Sequence, residues 1–177
     1  MNLPGPCSGA FSRFVTPPAL TLRTATLEDS RQLWEWRNEP GMRAACFNTD
    51  PIPLAVHEAW LGPALADPAR RLLVGERADG TPVGYLRFDE VGVTAEISVC
   101  IDPGCRGLGY GAALIRAGVE DLASRRPHLE PVALVKQDNP ASARAFTAAG
   151  FVVVREVEIH GVKAVDMRPP GREAGRP

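Results

Sequence analysis

Residues 95–112 read AEISVCIDPGCRGLGYGA and hold three kinds of chemically useful group in order. A carboxylate, Glu96, heads an apolar run. An arginine, Arg106, follows it. Gly107, Gly109 and Gly111 then alternate with Leu108 and Tyr110 ahead of Ala112. A helix N-terminus leaves backbone amides unpaired and carries about half a positive charge, so it binds phosphate wherever the chain can come close. Glycine permits that approach because it has no Cβ and tolerates positive φ. Arg106 adds a permanently charged fork of donors for phosphate oxygens. The ligand implied is a phosphate or a pyrophosphate. Two other readings of the same letters stay open: glycines that only shape a tight turn, and the dinucleotide fingerprint G-x-G-x-x-A at Gly107, Gly109 and Ala112. The fingerprint lacks its context, since it belongs to a parallel βαβ unit whose next strand ends in an acid, whereas VALVK ends in Lys136. A P-loop is excluded because no Gly-Lys-Ser/Thr follows.

Such a loop works only where a strand stops and a helix starts, and the flanking pattern predicts both. LTLRTAT (20–26) has period-two, β-branched character, and Thr26 offers an N-cap for a helix in LEDSRQLWEWRNE. A second helix is predicted over 54–66, with Val56, Trp60 and Ala64 on one face and Pro51, Pro53 and Pro68 as punctuation. RRLLVGERADGTPVGYLRFDE predicts two strands around Asp79-Gly80, and VTAEISVCI a third antiparallel one. Beyond the glycines, Leu114, Ile115, Gly118, Val119 and Leu122 mark the packed face of a helix. The strand VALVK, a helix in NPASARAFTAAG closed by Gly150, and strands FVVVREVEI and VKAVDM joined at His160-Gly161 complete the order. The order β-α-α-β-β-β-α-β-α-β-β predicts an α+β domain: a mixed, mostly antiparallel sheet with helices on both faces.

Composition bounds the function. A chain of 177 residues is the size of one domain. Its 45% hydrophobic and 23% charged residues and net charge of −1 lack the field that polyanions require, so nucleic acid is not an expected partner. Cys7, Cys46, Cys100 and Cys105 have neither metal-site spacing nor disulfide density, so no metal is expected, and a reducing, cytoplasmic setting is. No apolar run approaches a membrane span, and no membrane partner is expected. Proline- and glycine-rich segments at 1–19 and 169–177 read as a disordered leader and tail around a domain at 20–168.

With the loop goes a second constellation, Asn139, Ser142, Phe146, Gly150 and Phe151 in NPASARAFTAAGF. Together the two resemble the GNAT superfamily of N-acetyltransferases, whose motifs are Arg/Gln-x-x-Gly-x-Gly/Ala (here Arg106, Gly109, Gly111) and Asn-x-x-Ala/Ser-x-x-x-Tyr/Phe-x-x-x-Gly-Phe. The similarity covers about residues 20–167. It implies acetyl-coenzyme A as cosubstrate, with the diphosphate on the amides of residues 106–112. The edge of Ile97, Ser98, Val99, Cys100 and Ile101 would pair with the pantetheine arm as an added strand, with Asn139 also touching it and Ser142 and Phe146 beside it. An amide near Val99 or Cys100 would polarise the thioester carbonyl. Glu96 matches the position from which several family members present a catalytic base. Many members carry a tyrosine, credited with protonating the leaving thiolate, where this chain has Phe146; phenylalanine cannot donate, which leaves Ser142 or water.

For the amine, WEWRNEPGMR and IPLAVHEAW resemble the corresponding segments of GNAT enzymes that acetylate 4-amino sugars on nucleotide carriers (the pseudaminic acid type), and a similarity to ribosomal-protein-type acetyltransferases stands beside it. That resemblance implies Trp36, Arg37, Asn38, His57 and Arg87 as substrate-binding residues. A protein N-terminus, a polyamine, an antibiotic amine, or a coenzyme-binding module without turnover stay open as alternatives. So does a homodimer.

Overall fold

A computed structural model describes residues 18–170. Cys7 and all but the inner two residues of the expected leader and tail lie outside them. The elements are β1 (Thr21–Thr24), a 3-10 turn (Leu27–Asp29), α1 (Ser30–Asn38), α2 (Pro40–Ala45), α3 (Leu54–Ala66), β2 (Arg70–Glu76), β3 (Pro82–Val91) and β4 (Thr94–Ile101). A second 3-10 turn (Pro103–Cys105), α4 (Tyr110–Arg125), β5 (Glu130–Lys136), α5 (Pro140–Ala148), β6 (Val152–Ile159) and β7 (Val162–Arg168) follow. The seven strands form one sheet in the order β1-β2-β3-β4-β5-β7-β6. Every neighbouring pair is antiparallel except β4 and β5. This is the predicted mixed α+β architecture.

Strand alternation divides the side chains between two cores. Leu73, Leu86, Phe88, Ala95 and Ile97 pack with Leu114, Ile115 and Leu122 of α4 and Phe146 of α5. On the opposite face Leu72, Val74 and Cys100 pack with Leu33 and Trp36 of α1 and Leu61 of α3. Glu96, Ser98 and Cys100 therefore point to the α1/α3 side of β4, and Ala95, Ile97, Val99 and Ile101 to the α4 side. His160 (φ 50°) and Gly161 (φ 79°) both adopt the left-handed backbone that a two-residue turn between β6 and β7 requires.

Two expectations are corrected. Residues 40–45 form α2, which the pattern left as loop; the Glu39 carboxylate caps it by accepting from the Gly41 and Met42 amides at 2.9 Å each, with Pro40 in its first turn. The buried stripe of α3 is His57, Leu61 and Ala64, whereas Val56 is 57% exposed. This helix is apolar on nearly every side, so spacing alone could not pick the stripe that faces the sheet. Among the described residues no helix is long and apolar enough to cross a membrane.

The feature that governs the site is where β4 and β5 part. Their parallel register runs Thr94↔Glu130, Ala95↔Pro131 and Glu96↔Val132, and then stops. From Ala133 to Lys136 β5 pairs only with β7. Beyond Glu96, β4 is paired to β3 on one edge and open on the other.

Gly84 on β3 holds the end of that open strand. A Cβ there would lie 2.3 Å from the Cys100 carbonyl oxygen and 3.0 Å from the Ile101 Cα, both backbone atoms. Gly84→Ala is expected to destabilise the fold by about 3 kcal/mol, at the upper end of overpacking costs, read as a lower urea midpoint at unchanged m-value.

Candidate active site

Which groups of β4 face the gap follows from its ladder. The Asp102 amide donates to the Val83 carbonyl at 2.9 Å, so residues 102, 100 and 98 turn their backbone groups to β3. Those of Ile97, Val99 and Ile101 consequently face the other edge, which is open beyond the last rung at Val132 except that the Ile101 carbonyl accepts from Arg106. This corrects the expectation for Ser98 and Cys100, whose amides are spent in the ladder. The amide near the gap is that of Val99.

At the end of the gap lies the bend of residues 106–112. Gly107 (φ 76°) and Gly109 (φ 85°) are left-handed. The first intrahelical bond of α4 is from the Ala113 amide to the Gly109 carbonyl at 3.2 Å, so the amides of Tyr110, Gly111 and Ala112 precede it and have no intrahelical acceptor. Leu108 is exposed at the tip. The Tyr110 ring lies under the Arg77 guanidinium at 5.6 Å, and Arg77 also donates to Cys105 Sγ at 3.0 Å, pinning the bend to the β2–β3 hairpin. Arg106 does not reach into the bend. Its Nη2 donates to Glu39 Oε2 at 2.7 Å and its Nε to the Ile101 carbonyl at 3.2 Å. What the loop offers a ligand is backbone. Arg106 and the amides it caps hold the Glu39 carboxyl down at about 2.

α2 spans the mouth of the gap. Glu39 at its start is tied to Arg106 beyond β4, and the Ala44 carbonyl near its end accepts from Lys136 Nζ, at the end of β5, at 2.9 Å. Glu39 and Lys136 are thus site residues that sequence reasoning missed. An acid directly before Pro-Gly is the signal for the first; the second has none, because only the folded register brings Lys136 to α2.

On the α1/α3 face Glu96 stands directly across from Asp89, and Arg87 directly across from Ser98. Burial raises the Glu96 pKa, as does the Asp89 charge, against a smaller opposing effect of Arg87. Asp89 is itself held by Arg70 Nε (2.6 Å) and Arg87 Nε (2.7 Å), and both guanidiniums lie 5.7 Å from the Trp60 ring.

Of the five residues expected to bind the amine, the structure brings Arg37 and Arg87 to this face. Trp36 is only 4% exposed, stacks on Tyr85 at 6.4 Å and donates to Asp102 Oδ2 at 2.7 Å, so it is core. Asn38 spends its amide on the loop before α3: Nδ2 donates to the Trp34 and Ile52 carbonyls, and Oδ1 accepts from the Ile52 amide. His57 is 5% exposed, 5.7 Å from the Trp60 ring, with Nε2 buried and unpartnered. These three corrections share one cause: a polar or aromatic residue on the inner side of a helix is consumed by packing.

In α5, the Asn139 Oδ1 accepts from the Ser142 amide at 3.1 Å, leaving the Asn139 Nδ2 to serve a ligand. Phe146 is buried edge-on against Phe151 at 5.1 Å. Among the described residues no group of three His, Cys, Asp or Glu side chains is placed to hold a metal ion.

Burial lowers the His57 pKa. The unfolded chain therefore binds the proton more readily, and the stability present above about pH 6.5 drains away as pH falls below it. His57→Gln is expected to flatten that part of the melting-temperature profile between pH 7.5 and 5.5, by calorimetry.

Comparison with known proteins bears on this geometry. Residues 30–151 match the acetyltransferase (GNAT) family. The L-methionine sulfoximine/L-methionine sulfone acetyltransferase of Pseudomonas paraeruginosa is 30% identical over 129 residues, 70% of this chain and 74% of that protein. Mycothiol acetyltransferase of Clavibacter sepedonicus is 35% identical over 97 residues, which span 54% of this chain but only 30% of that longer protein. In structure, the spermidine N-acetyltransferase of Vibrio cholerae, solved with CoA and spermine, superposes with a TM-score of 0.75 at 22% identity, over 84% of this chain and 93% of that one; at such identity the likeness speaks for the fold. With both motifs seated on a sheet that opens beside an amide-lined bend, the chain belongs to the GNAT acetyltransferase family.

Proposed function

We propose that the enzyme moves the acetyl group of acetyl-coenzyme A directly to the primary amine of a small molecule, and that the gap between β4 and β5 is where it does so. The observation that carries this is the open edge of Ile97, Val99 and Ile101 leading into the unpaired amides before Ala113. A diphosphate sits on those amides, where the helix dipole favours it. The pantetheine arm pairs with the open edge, with the Asn139 Nδ2 as an added donor. Held there, the thioester carbonyl comes to the Val99 amide, which stabilises the oxyanion that forms.

An amine attacks only when neutral, and Glu96, on the neighbouring face, takes its proton. Nitrogen bonds to the acetyl carbon, the carbon–sulfur bond breaks, and the thiolate leaves with the electron pair. Phe146 has no proton to give, so Ser142 or water supplies it. Positioning contributes most of the rate, with the base adding about 10²–10⁴. Cys46, Cys100 and Cys105 are free thiols, which supports residence in the reducing cytoplasm.

The amine itself is less constrained. A nucleotide-linked 4-amino sugar keeps only Arg37 and Arg87 of its expected contacts, because Trp36, Asn38 and His57 are consumed by the fold. One relative acts on methionine sulfoximine and methionine sulfone, and the structural neighbour on spermidine. These differ in charge.

Two variants test the reading. Glu96→Gln is expected to lower turnover about 10²–10⁴-fold at neutral pH with unchanged coenzyme affinity, and to remove the acidic limb that Glu96 adds to the kcat/KM profile, leaving the rise set by the amine's own deprotonation. Because a raised carboxyl pKa weakens the folded state above it, the same variant should melt higher at pH 8; a lower melting temperature would contradict the burial argument. Gly109→Glu is expected to abolish coenzyme binding in calorimetry, since the position is left-handed, a Cβ would meet Pro18 at 3.3 Å, and the carboxylate would repel the diphosphate.

A further inference from the structure

Four residues form one row across the sheet. Arg70 of β2 lies opposite Asp89 of β3, Asp89 opposite Glu96 of β4, and Glu96 opposite Val132 of β5. In the phase set by the Asp102 amide and the Val83 carbonyl, Glu96 and Asp89 are a hydrogen-bonded pair, with Cα atoms about 5.5 Å apart. Their carboxylates leave the same face of the sheet, and like charges set directly across from each other are destabilising. The chain keeps this pair at the very rung where the crevice begins.

Their neighbours treat the two acids differently. Both oxygens of Asp89 are engaged: Oδ1 accepts from Arg70 Nε at 2.6 Å and Oδ2 from Arg87 Nε at 2.7 Å. The two guanidiniums lie 5.7 Å from the ring of Trp60 on α3, a cation–π seat that steadies both beside Asp89. Glu96 has neither an ion pair nor a side-chain hydrogen bond among the described residues, although Arg87, opposite Ser98, is its diagonal neighbour and long enough to reach it. The other charges on the elements around this face are directed elsewhere. Arg37 of α1 donates to the Asn48 carbonyl, Lys136 at the end of β5 to the Ala44 carbonyl, and Glu130 at its start accepts from Arg168. His57 of α3 is buried beside Trp60, and Cys46 beyond α2 is half-buried. Burial first and then the Asp89 charge raise the Glu96 pKa, and Arg87 opposes them.

We infer that Asp89 is a positioning residue of the reaction: by engaging Arg70 and Arg87 with both its oxygens, it keeps the Glu96 carboxylate out of an ion pair and free to accept the proton of the amine. This rests on the reading of Glu96 as the base. An arginine paired with a carboxylate favours the ionised form and makes it a weak base, so Arg87 turned toward Glu96 would disable the proton acceptor. Asp89 prevents this in two ways, by occupying the guanidinium and by adding a like charge. Arg70 belongs to the same device. Without it Asp89 is less fully neutralised, and its charge weighs more on Glu96.

Two readouts test this, one of them without turnover. In full-length protein isotopically labelled at its glutamate carboxyl carbons and loaded with coenzyme A, NMR follows the Glu96 resonance, assigned by its absence from Glu96→Gln. Its titration midpoint is expected to fall by about one pH unit in Asp89→Asn and to rise by about half a pH unit in Arg70→Met, with Arg70→Lys, which keeps the charge, returning it toward wild type. The second readout is the acidic limb of kcat/KM for thiol release from acetyl-coenzyme A, with whichever of spermidine, methionine sulfone and a nucleoside diphosphate-linked amino sugar turns over fastest. The limb should move with the midpoint in each variant, and Asp89→Asn should lower kcat about tenfold through the weaker base, with the coenzyme Kd unmoved. An ion pair that only ties β2 to β3 would lower the melting temperature of both variants and leave the midpoint in place. That result, or a midpoint moving the same way in Asp89→Asn and Arg70→Met, overturns the inference. Should Asp89→Asn fail to fold, the rise in Arg70→Met and its reversal in Arg70→Lys decide. Midpoints that move as expected beneath an unmoved limb sink Glu96 as the base and leave the effect of Asp89 on it standing.

Discussion

The separation of β4 from β5 after Glu96 and Val132 is the constraint on which the site depends. An interior strand normally spends both edges on neighbours, and an unpaired edge inside a sheet leaves polar groups that something must satisfy. Here β5 turns away to pair with β7, and the parallel ladder ends at Glu96 and Val132. The three residues Ile97, Val99 and Ile101 are left with peptide groups turned to a crevice at the carboxyl ends of parallel strands. In sheets of this kind that is where ligands bind. The bend before α4 extends the same supply of unpaired amides, and on the proposed function one length of backbone would serve an extended arm and then a diphosphate.

Two chemistries meet across the thickness of β4. Its edge and the adjoining bend offer neutral backbone donors, suited to a cosubstrate whose recognition lies mostly in shape and phosphate. The α1/α3 face offers ionised side chains, suited to a small polar substrate. Alternation along a single strand achieves this division, because side chains leave the plane of the sheet while peptide groups stay within it. Glu96 sits at the last paired position, where face and crevice adjoin. Its like-charged cross-strand neighbour Asp89 is neutralised by two arginines, so much of the perturbation at Glu96 comes from lost solvent.

The backbone of this arrangement was legible in the chain. Alternating strands, the Asp79-Gly80 hairpin, the glycine bend and Gly150 after α5 are local signals, and each element they predicted lies where the pattern put it. What the chain hid was tertiary. The helix α2 has six residues, with proline and glycine among them, too few to show a period. The apolar girth of α3 concealed that His57, rather than Trp60, turns inward. Trp36 and Asn38 looked like ligand contacts because tryptophan and asparagine suit sugars, yet a buried indole needs an acceptor and a loop needs its amides satisfied. Asp102 and Ile52 supply those needs. Arg106 read as a phosphate fork, and its partner Glu39, 67 residues away, could be found only in the fold.

The double mooring of α2, to Arg106 at one end and Lys136 at the other, ties the two halves of the reaction together. A helix fastened to both walls of a crevice cannot tilt unless one fastening yields. Whatever enters the crevice and strains either wall therefore alters the seat of its co-reactant, and by linkage the reverse holds with equal strength. The two ends of the crevice are thus mechanically joined through two contacts that lie away from the β4 edge itself.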